Sequence, residues 1–404
     1  MNSLYKLWCR AYQTVFRIVI PVLPYREPKI LGSMDELGPM FKTKGISRVL
    51  IVTDQGLVKA GIAAMLEEKL ASSGIDYSLY ADTVPNPTVA NVEEARLQYV
   101  ESQSQAIIAL GGGSAMDCAK AAACRVARPR TSLKWMAGVL KVWVRLPLLV
   151  AVPTTAGTGS ETTLAAVITD PEKHHKYAIM DFPLIPPVAV HDYRLTVGLP
   201  PHITSTTGMD ALVHAVEAYI GRSTTSYTRA MAVEAVRLIS ENLLEAYRDG
   251  SNAKARQNML RAAFCAGNAF SISYVGYVHC VAHSLGGQYG VPHGLANAVL
   301  LPVVLRAYGE SVYSKLASLT RESGLAKSLS LDPTASDETV AKAFISWVGD
   351  MNRSMDIPSK IQGIKTEDIC QMVSYALAEG NPLYPVPKIF GREELTELYL
   401  AVKE

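Results

Sequence analysis

Charge is in short supply in this chain. Asp, Glu, Lys and Arg make up 19% of its 404 residues, and 39 Lys plus Arg against 37 Asp plus Glu leave a net charge of +2. With no excess of positive charge there is no general footprint for a polyanion, so no nucleic-acid partner is expected. Cysteine is sparse too: Cys9, Cys118, Cys124, Cys265, Cys280 and Cys370 are scattered, with no CxxC pair. That spacing excludes a disulfide framework, and the thiols read as reduced, cytosolic and mostly buried. Repeats and low-complexity tracts are absent. A long apolar run is also missing. The first thirty residues come nearest to one, but Lys6, Arg10 and Arg17 interrupt them. Neither a signal core nor the ~20 clean apolar residues of a span remains.

What the chain does have is buried-type composition, 49% apolar, over a length that usually exceeds one core, so two domains are expected. Residues 1–24 read as an amphipathic extension. At 3.6 residues per turn Leu4, Trp8, Ala11, Val15 and Val19 share a face, while Lys6, Arg10, Gln13, Thr14 and Arg17 lie largely away from it, and Pro21 and Pro24 end the helix. Two readings of it stay open: docking on its own domain or a sister subunit, or peripheral contact with a membrane. Residues 25–196 alternate short β-branched runs (49–53, 106–110, 148–152) with helical stretches (57–73, 114–126), the pattern of βαβ units and a parallel sheet, and end in a β-rich stretch, 164–190. Residues 197–404 are dominated by helical periodicity, as in 207–220, 226–247 and 253–269. Pro382 to Pro387 should be an extended link before a last helix from Arg392.

Metal-capable side chains carry the strongest local signal. Asp210 and His214 are four apart, His279 and His283 repeat the step, and His293 follows ten residues later. An i, i+4 step sets two side chains on one helical face about a turn apart, as adjacent ligands of one cation require. One carboxylate with imidazoles suits Fe(II) or Zn(II), and the lack of cysteine ligands argues against a closed structural zinc site. Five candidates exceed the need, since a catalytic metal keeps a position open for substrate. His174, His175, His191 and His202 lack this context and read as surface or loop residues.

Two small-residue turns follow apolar strands. In the first, Gly111-Gly112-Gly113-Ser114, the spacing is not G-x-G-x-x-G, and the turn is either a tight strand-to-helix connection or a phosphate cradle. Ser114 is placed to cap the following helix, whose first amides would face a pyrophosphate. Asp54, after a strand, is either a helix N-cap or an acceptor for a ribose diol. The second turn, Pro153-Thr-Thr-Ala-Gly-Thr-Gly-Ser-Glu161, has the hydroxyl and glycine density for phosphate or ribose contacts, and alone reads as a plain loop.

Taken together and in order, VTD (52–54), VPNPT (84–88), GGGSAMDCAK, PTTAGTGSE, GMDALVHAVEAY and HCVAHSLGGQYGVPHGLANAVLLP resemble the iron-containing (group III) alcohol dehydrogenases from about Pro28 onward. The resemblance implies an N-terminal α/β dinucleotide-binding domain with a parallel sheet and an all-α C-terminal metal-binding domain, an architecture like that of dehydroquinate synthase. It implies Asp210, His214, His279 and His293 as metal ligands, with His283 beside the metal as a proton relay. It also implies Asp54, Asn86, Gly112, Gly113, Ser114, Thr154, Thr155, Thr158, Thr163 and Lys176 as residues around NAD. The expected function is hydride transfer between a small alcohol or aldehyde and nicotinamide C4, with Fe(II) or Zn(II) polarising the substrate oxygen, in a cytoplasmic, homodimeric or larger enzyme. Two alternatives are a dehydroquinate synthase-like lyase and a membrane-docked or filament-forming protein on the same scaffold. The lyase would need a basic cluster for an acidic substrate, and the metal-site segments carry none. The apolar start and a second basic, aromatic segment, residues 134–145, depart from the usual family pattern.

Overall fold

The computed structural model describes residues 3–170 and 175–404, without the side chains of His175 and Lys176. The chain divides into an α/β unit, Pro24–Thr155 with Gly159–Val197, and a helical unit, Met1–Leu23 with Ala156–Thr158 and Gly198–Glu404.

The α/β unit is built on a six-stranded sheet. Its strands are β1 (Lys29–Leu31), β2 (Arg48–Val52), β3 (Asp76–Tyr80), β4 (Ala106–Gly111), β6 (Leu148–Pro153) and β9 (Val188–Val190), in the order β1-β9-β6-β4-β2-β3. Every pairing in it is parallel, with Leu50 opposite Ile107 and Leu110 opposite Val152. The three central strands are continuous apolar runs, VLIV, AIIALG and LLVAVP, because parallel strands are covered on both faces. From β2 the chain crosses to β3 on one side and then to β4 on the other. The carboxyl ends of β2 and β4 therefore flank a topological switch point, where open α/β sheets bind ligands.

The β-rich stretch 164–190 resolves into two destinations. β7 (Ala165–Asp170) and β8 (His175–Met180) pair antiparallel in a separate sheet with β5 (Gly138–Val139), whereas β9 joins the main sheet. Two strands that composition did not single out, β1 and β3, lie at the sheet's edges. β3 is largely uncovered, so its alternating DYSLY carries little apolar signal. The stretch 57–73 is two helices, Gln55–Lys59 and Ile62–Ser72, separated at Gly61, whose φ of 75° no helix interior adopts. His191 does lie in a loop, but a buried one. It is 1% exposed, directly after β9, with its backbone N–H on Leu31 O. His202 is exposed, and His174 lies outside the described residues.

The helical unit packs Pro201–Ile220 against Ser226–Arg248 and Ala253–Ser273, each of the latter two started by a capping side chain, Thr225 or Asn252. Helices Tyr277–Tyr289 and His293–Tyr308 complete the layer that carries the histidines, and Arg392–Val402 closes the chain. The N-terminal helix, Ser3–Val19, docks on this unit by the face opposite to its apolar stripe. Arg10 donates to Val386 O and Pro387 O at 2.7 Å each, Gln13 Nε2 donates to Tyr384 O at 2.7 Å, and Phe16 meets Tyr274 edge-on. The cause is the proline-rich link, whose carbonyls belong to no helix or ladder and need donors. Cys9, Gln13 and Ile20 are buried, while Leu4, Leu7, Trp8, Val15 and Ile18 point outward. Among the described residues no helix is long and apolar enough to cross a membrane.

Candidate metal centre

Three helix segments bring four donors together. Asp210 and His214 lie one turn apart in the buried half of Pro201–Ile220, His279 lies in the first turn of Tyr277–Tyr289, and His293 opens His293–Tyr308. One donor atom from each of the four lies within 4.8 Å of the others. His214 Nε2 and His279 Nε2 are 2.9 Å apart, and Asp210 Oδ1 lies 3.5 Å from His293 Nε2 and 3.9 Å from His279 Nε2. Ligand–metal bonds of about 2.1 Å in a tetrahedron give donor separations of about 3.4 Å, so these spacings bracket what one cation requires. Gly294 makes the approach of the third segment feasible, since a Cβ there would stand 2.5 Å from Thr206 O.

The protonation states suit coordination. Burial, then the imidazoles of His214, His293 and His283, holds the His279 ring well below the usual histidine range, and burial lowers His214. Neutral imidazole is the form that binds a metal. Glu217 Oε2 sits 2.6 Å from His279 Nδ1 and takes the Gly276 N–H at 2.8 Å, while Oε1 takes the Val278 N–H at 2.8 Å. Burial pushes the Glu217 carboxyl up to about 8 against the N–H groups that favour its anion. With its oxygen holding Nδ1, the His279 ring turns its Nε2 lone pair to the cluster. Asn297 Nδ2 lies 2.6 Å from Asp210 Oδ1 and 3.1 Å from His293 Nε2, and among the described residues the buried Asn297 Oδ1 and His214 Nδ1 have no hydrogen-bond partner. One carboxylate and three imidazoles, two of them held neutral by burial, fit a divalent ion of the iron or zinc type.

At the switch point of the α/β unit, Asp54 caps Gln55–Lys59, its Oδ1 accepting the Leu57 N–H at 3.0 Å. Its Oδ2 lies 4.0 Å from where a Cβ on Gly111 would stand, so the carboxylate and the triple glycine are neighbours. Ser114 is not the cap. The helix starts one residue earlier, as Gly113–Ala127, with extended Gly112 at the N-cap and no capping side chain. Ser114 Oγ instead accepts the N–H of Asn86, which has a φ of 59° between two prolines. First-turn amides not satisfied by a cap remain available to a ligand. Thr154 N–H is bonded to Gly111 O, and Thr155 Oγ1 lies 3.2 Å from a Cβ position on Gly112. Thr158 falls with the helical unit. Thr163 Oγ1 takes a 2.7 Å bond from Lys120 Nζ, a buried lysine that also donates to Ser160 O, Thr163 O and Ala165 O and so pins the hydroxyl-rich turn. Lys176 lies on β8, and its side chain is outside the described residues.

The model of the iron-containing alcohol dehydrogenase matches residues 30–193, and that of the C-terminal part of the Fe-containing alcohol dehydrogenase family matches residues 204–402. The chain belongs to the iron-containing alcohol dehydrogenase family. It is 37% identical over 371 residues to alcohol dehydrogenase 4 of Saccharomyces cerevisiae, covering 91% of this chain and 94% of the yeast protein. With the 1,3-propanediol dehydrogenase of Klebsiella pneumoniae it shares 35% over 390 residues, covering 95% and 98%. The crystal structure of a 1,3-propanediol oxidoreductase superposes with a TM-score of 0.87 at 34% identity, over 93% and 97% of the two chains. That of the sulfoacetaldehyde reductase of Bifidobacterium kashiwanohense, in complex with NAD+, gives 0.81 at 26%, over 94% and 98%. This member of the family is an oxidoreductase acting on alcohols and aldehydes, so the lyase alternative falls, and so does a protein that keeps the scaffold without its chemistry.

His283 stands apart from the four donors of this iron-containing dehydrogenase. Its ring stacks on that of His293 with centroids 5.2 Å apart, and its Nδ1 meets Glu379 Oε1 at 2.6 Å. Burial raises the Glu379 carboxyl, but the His283 ring and the Tyr384 hydroxyl outweigh it and hold the group low. Anchored at Nδ1 by an ionised carboxylate, the imidazole presents Nε2 on its other side. Glu217, Asn297, Glu379 and Lys120 were not singled out from sequence. Glu217 was readable, three residues after His214 on the same face, and Asn297 likewise, four after His293. Glu379, ninety-six residues from His283, had no local signal.

Proposed function

We propose that this enzyme is a metal-dependent, NAD-linked alcohol dehydrogenase and aldehyde reductase for a small substrate, in which Asp210, His214, His279 and His293 hold Fe(II), or Zn(II) in its place. When bound, the ion would supply Lewis acidity toward the substrate oxygen and the dinucleotide would supply the hydride donor or acceptor. Glu217 orients His279, and Asn297 bridges Asp210 and His293. His283, steadied by Glu379, exchanges the hydroxyl proton of the substrate with solvent. Gly112, Gly113, Ser114 and Asn86 cradle the pyrophosphate, Thr154, Thr155, Thr158, Thr163 and Lys176 complete the dinucleotide contacts, and Asp54 faces the adenosine ribose. These roles divide the work between residues 25–196 and 197–404. The enzyme acts in the cytoplasm as a homo-oligomer, and the free cysteines, five of them buried, agree with a reducing compartment.

The observation that carries this reading is the convergence of one carboxylate and three imidazoles from three helices. The test is NADH formation across a panel of small alcohols, run beside metal analysis of His279→Ala and His293→Ala. Turnover with at least one alcohol, and loss of metal and turnover together in both variants, is expected. Stoichiometric metal and intact turnover in both variants would remove the assignment.

A further inference from the structure

The face of the helical unit that carries the N-terminal helix holds a second concentration of chemistry. A cavity of about 750 Å³ opens there, lined by Arg17, Arg222, Arg229 and Lys315 and by hydroxyls that include Ser226 and Ser311. The four cations come from four places in the chain: the N-terminal helix, the turn after Pro201–Ile220, the helix Ser226–Arg248 and the helix Glu310–Glu322. Arg229 is neutralised by Glu322. Lys315 Nζ donates to the carbonyls of Ile220 and Gly221 at a helix C-terminus. Arg17 and Arg222 have no carboxylate partner among the described residues. Burial, then the guanidiniums of Arg222, Arg17 and Arg229, pushes the Lys315 ammonium down to about 8. Like charges brought together without a counter-ion repel, and a bound anion relieves that repulsion. The metal ligand Asp210 lies ten residues before Ile220 in the same helix, about 15 Å along its axis, so this is a separate site.

The adjoining surface narrows the class of anion. With Arg10, Gln13 and Cys9 turned inward, Leu4, Leu7, Trp8, Val15 and Ile18 fill the opposite arc of the helix. Leu4, Leu7, Val15 and Ile18 are 73, 66, 62 and 71% exposed, and Val22 just beyond is 80% exposed. Arg17 belongs both to this helix and to the cavity wall. A soluble phosphate has no use for such a stripe. An anionic phospholipid uses both parts, its acyl boundary receiving the leucines and isoleucine and its headgroup phosphate the guanidiniums. A second copy of this chain suits the face less well, since a two-fold contact through this helix would set the unneutralised Arg17 and Arg222 of both copies against one another.

We propose that this face docks the enzyme peripherally on anionic phospholipid, with Arg17, Arg222 and Lys315 around the headgroup phosphate and the Leu4, Leu7, Val15 and Ile18 stripe in the interface. Co-sedimentation of the full chain with phosphatidylcholine vesicles, and with vesicles that also contain phosphatidylserine, tests it. Binding to the second and not the first is expected, weakening about fivefold for each guanidinium lost in Arg17→Gln and Arg222→Gln. Binding should vanish in the double variant Leu7→Gln, Ile18→Gln, with alcohol oxidation unchanged in all of them. No binding, or equal binding to both vesicles, overturns the proposal. So does calorimetric binding of pyrophosphate, abolished by Arg222→Gln, in a chain that ignores vesicles, which assigns the cavity to a soluble anion. A fall in solution mass on Leu7→Gln, Ile18→Gln without any vesicle binding overturns it too, by giving the stripe to a second copy.

Discussion

Removing the Glu217 carboxylate separates what orients the metal site from what merely fills it. The group is 3% exposed and accepts three N–H bonds, from Gly276 and Val278 at 2.8 Å and from His279 Nδ1 at 2.6 Å. Gly276 lets it come so close, since a Cβ there would stand 2.7 Å from Glu217 Oε1. Glu217→Ala strands two buried backbone donors at about 1–3 kcal/mol each, so the metal-free protein should lose about 2–6 kcal/mol. For a unit of this size that is roughly 4–24 °C in melting temperature. Glu217→Gln is milder. Its amide oxygen can replace Oε2, which holds both Gly276 and His279, leaving the NH2 against Val278 N–H and one bond lost, about 1–3 kcal/mol. His279 is then held by a neutral acceptor, and metal affinity should fall about 10–100-fold. Calorimetric unfolding without metal gives the first quantity, and ferrous or zinc titration against a chelator of known affinity gives the second. Parental metal affinity in Glu217→Gln would refute the orienting role. A parental melting temperature in Glu217→Ala would refute the account of the stranded donors.

Further expectations follow from the same geometry. His283→Ala should keep stoichiometric metal yet lose about 10²–10⁴ in turnover, and metal analysis showing loss of the ion would instead make it a ligand. Asp54→Gly should narrow the preference for NAD over NADP, because the carboxylate beside Gly111 repels a 2′-phosphate, while costing only about a few tenths of a kcal/mol as an N-cap. Equal parental efficiency with both cofactors would take Asp54 out of this role. Lys315 titrates near 8 in the folded chain, so between there and the ordinary lysine value of about 10.4 the unfolded state holds more protons and stability should rise with pH. Denaturant midpoints measured across that window should rise less steeply in Lys315→Met, and equal slopes would discount the crowding of cations around Lys315.

Much of the site was legible because its donors come as local pairs. Asp210 with His214 announces a chelating face in any helix, and the strands before Asp54 and Gly111 are apolar enough to be read as buried parallel strands. The misreadings were also local in origin. Ser114 looks like a cap by residue type, yet Gly112 adopts the extended conformation that starts the helix one residue sooner. His191 has no periodic context, and it is the pairing of β9 with β1 that buries it. In the N-terminal helix the amphipathic pattern was plain, but not which face docks. That was settled by the carbonyls of Tyr384, Val386 and Pro387, which attract Arg10 and Gln13 more specifically than any core attracts Leu4.

By itself the amino-acid order determines what depends on neighbours a few residues apart: helix and strand periods, the chelating steps, and the small-residue turns after strands. Tertiary structure alone decides which distant groups share a point in space. It sets His279 against His214, hangs Glu379 on His283, and lays Arg17, Arg222 and Lys315 around one hollow. The reason is physical: side-chain spacing along a helix follows from its pitch, whereas contacts between segments follow from how buried faces pack and which unpaired polar groups they must satisfy.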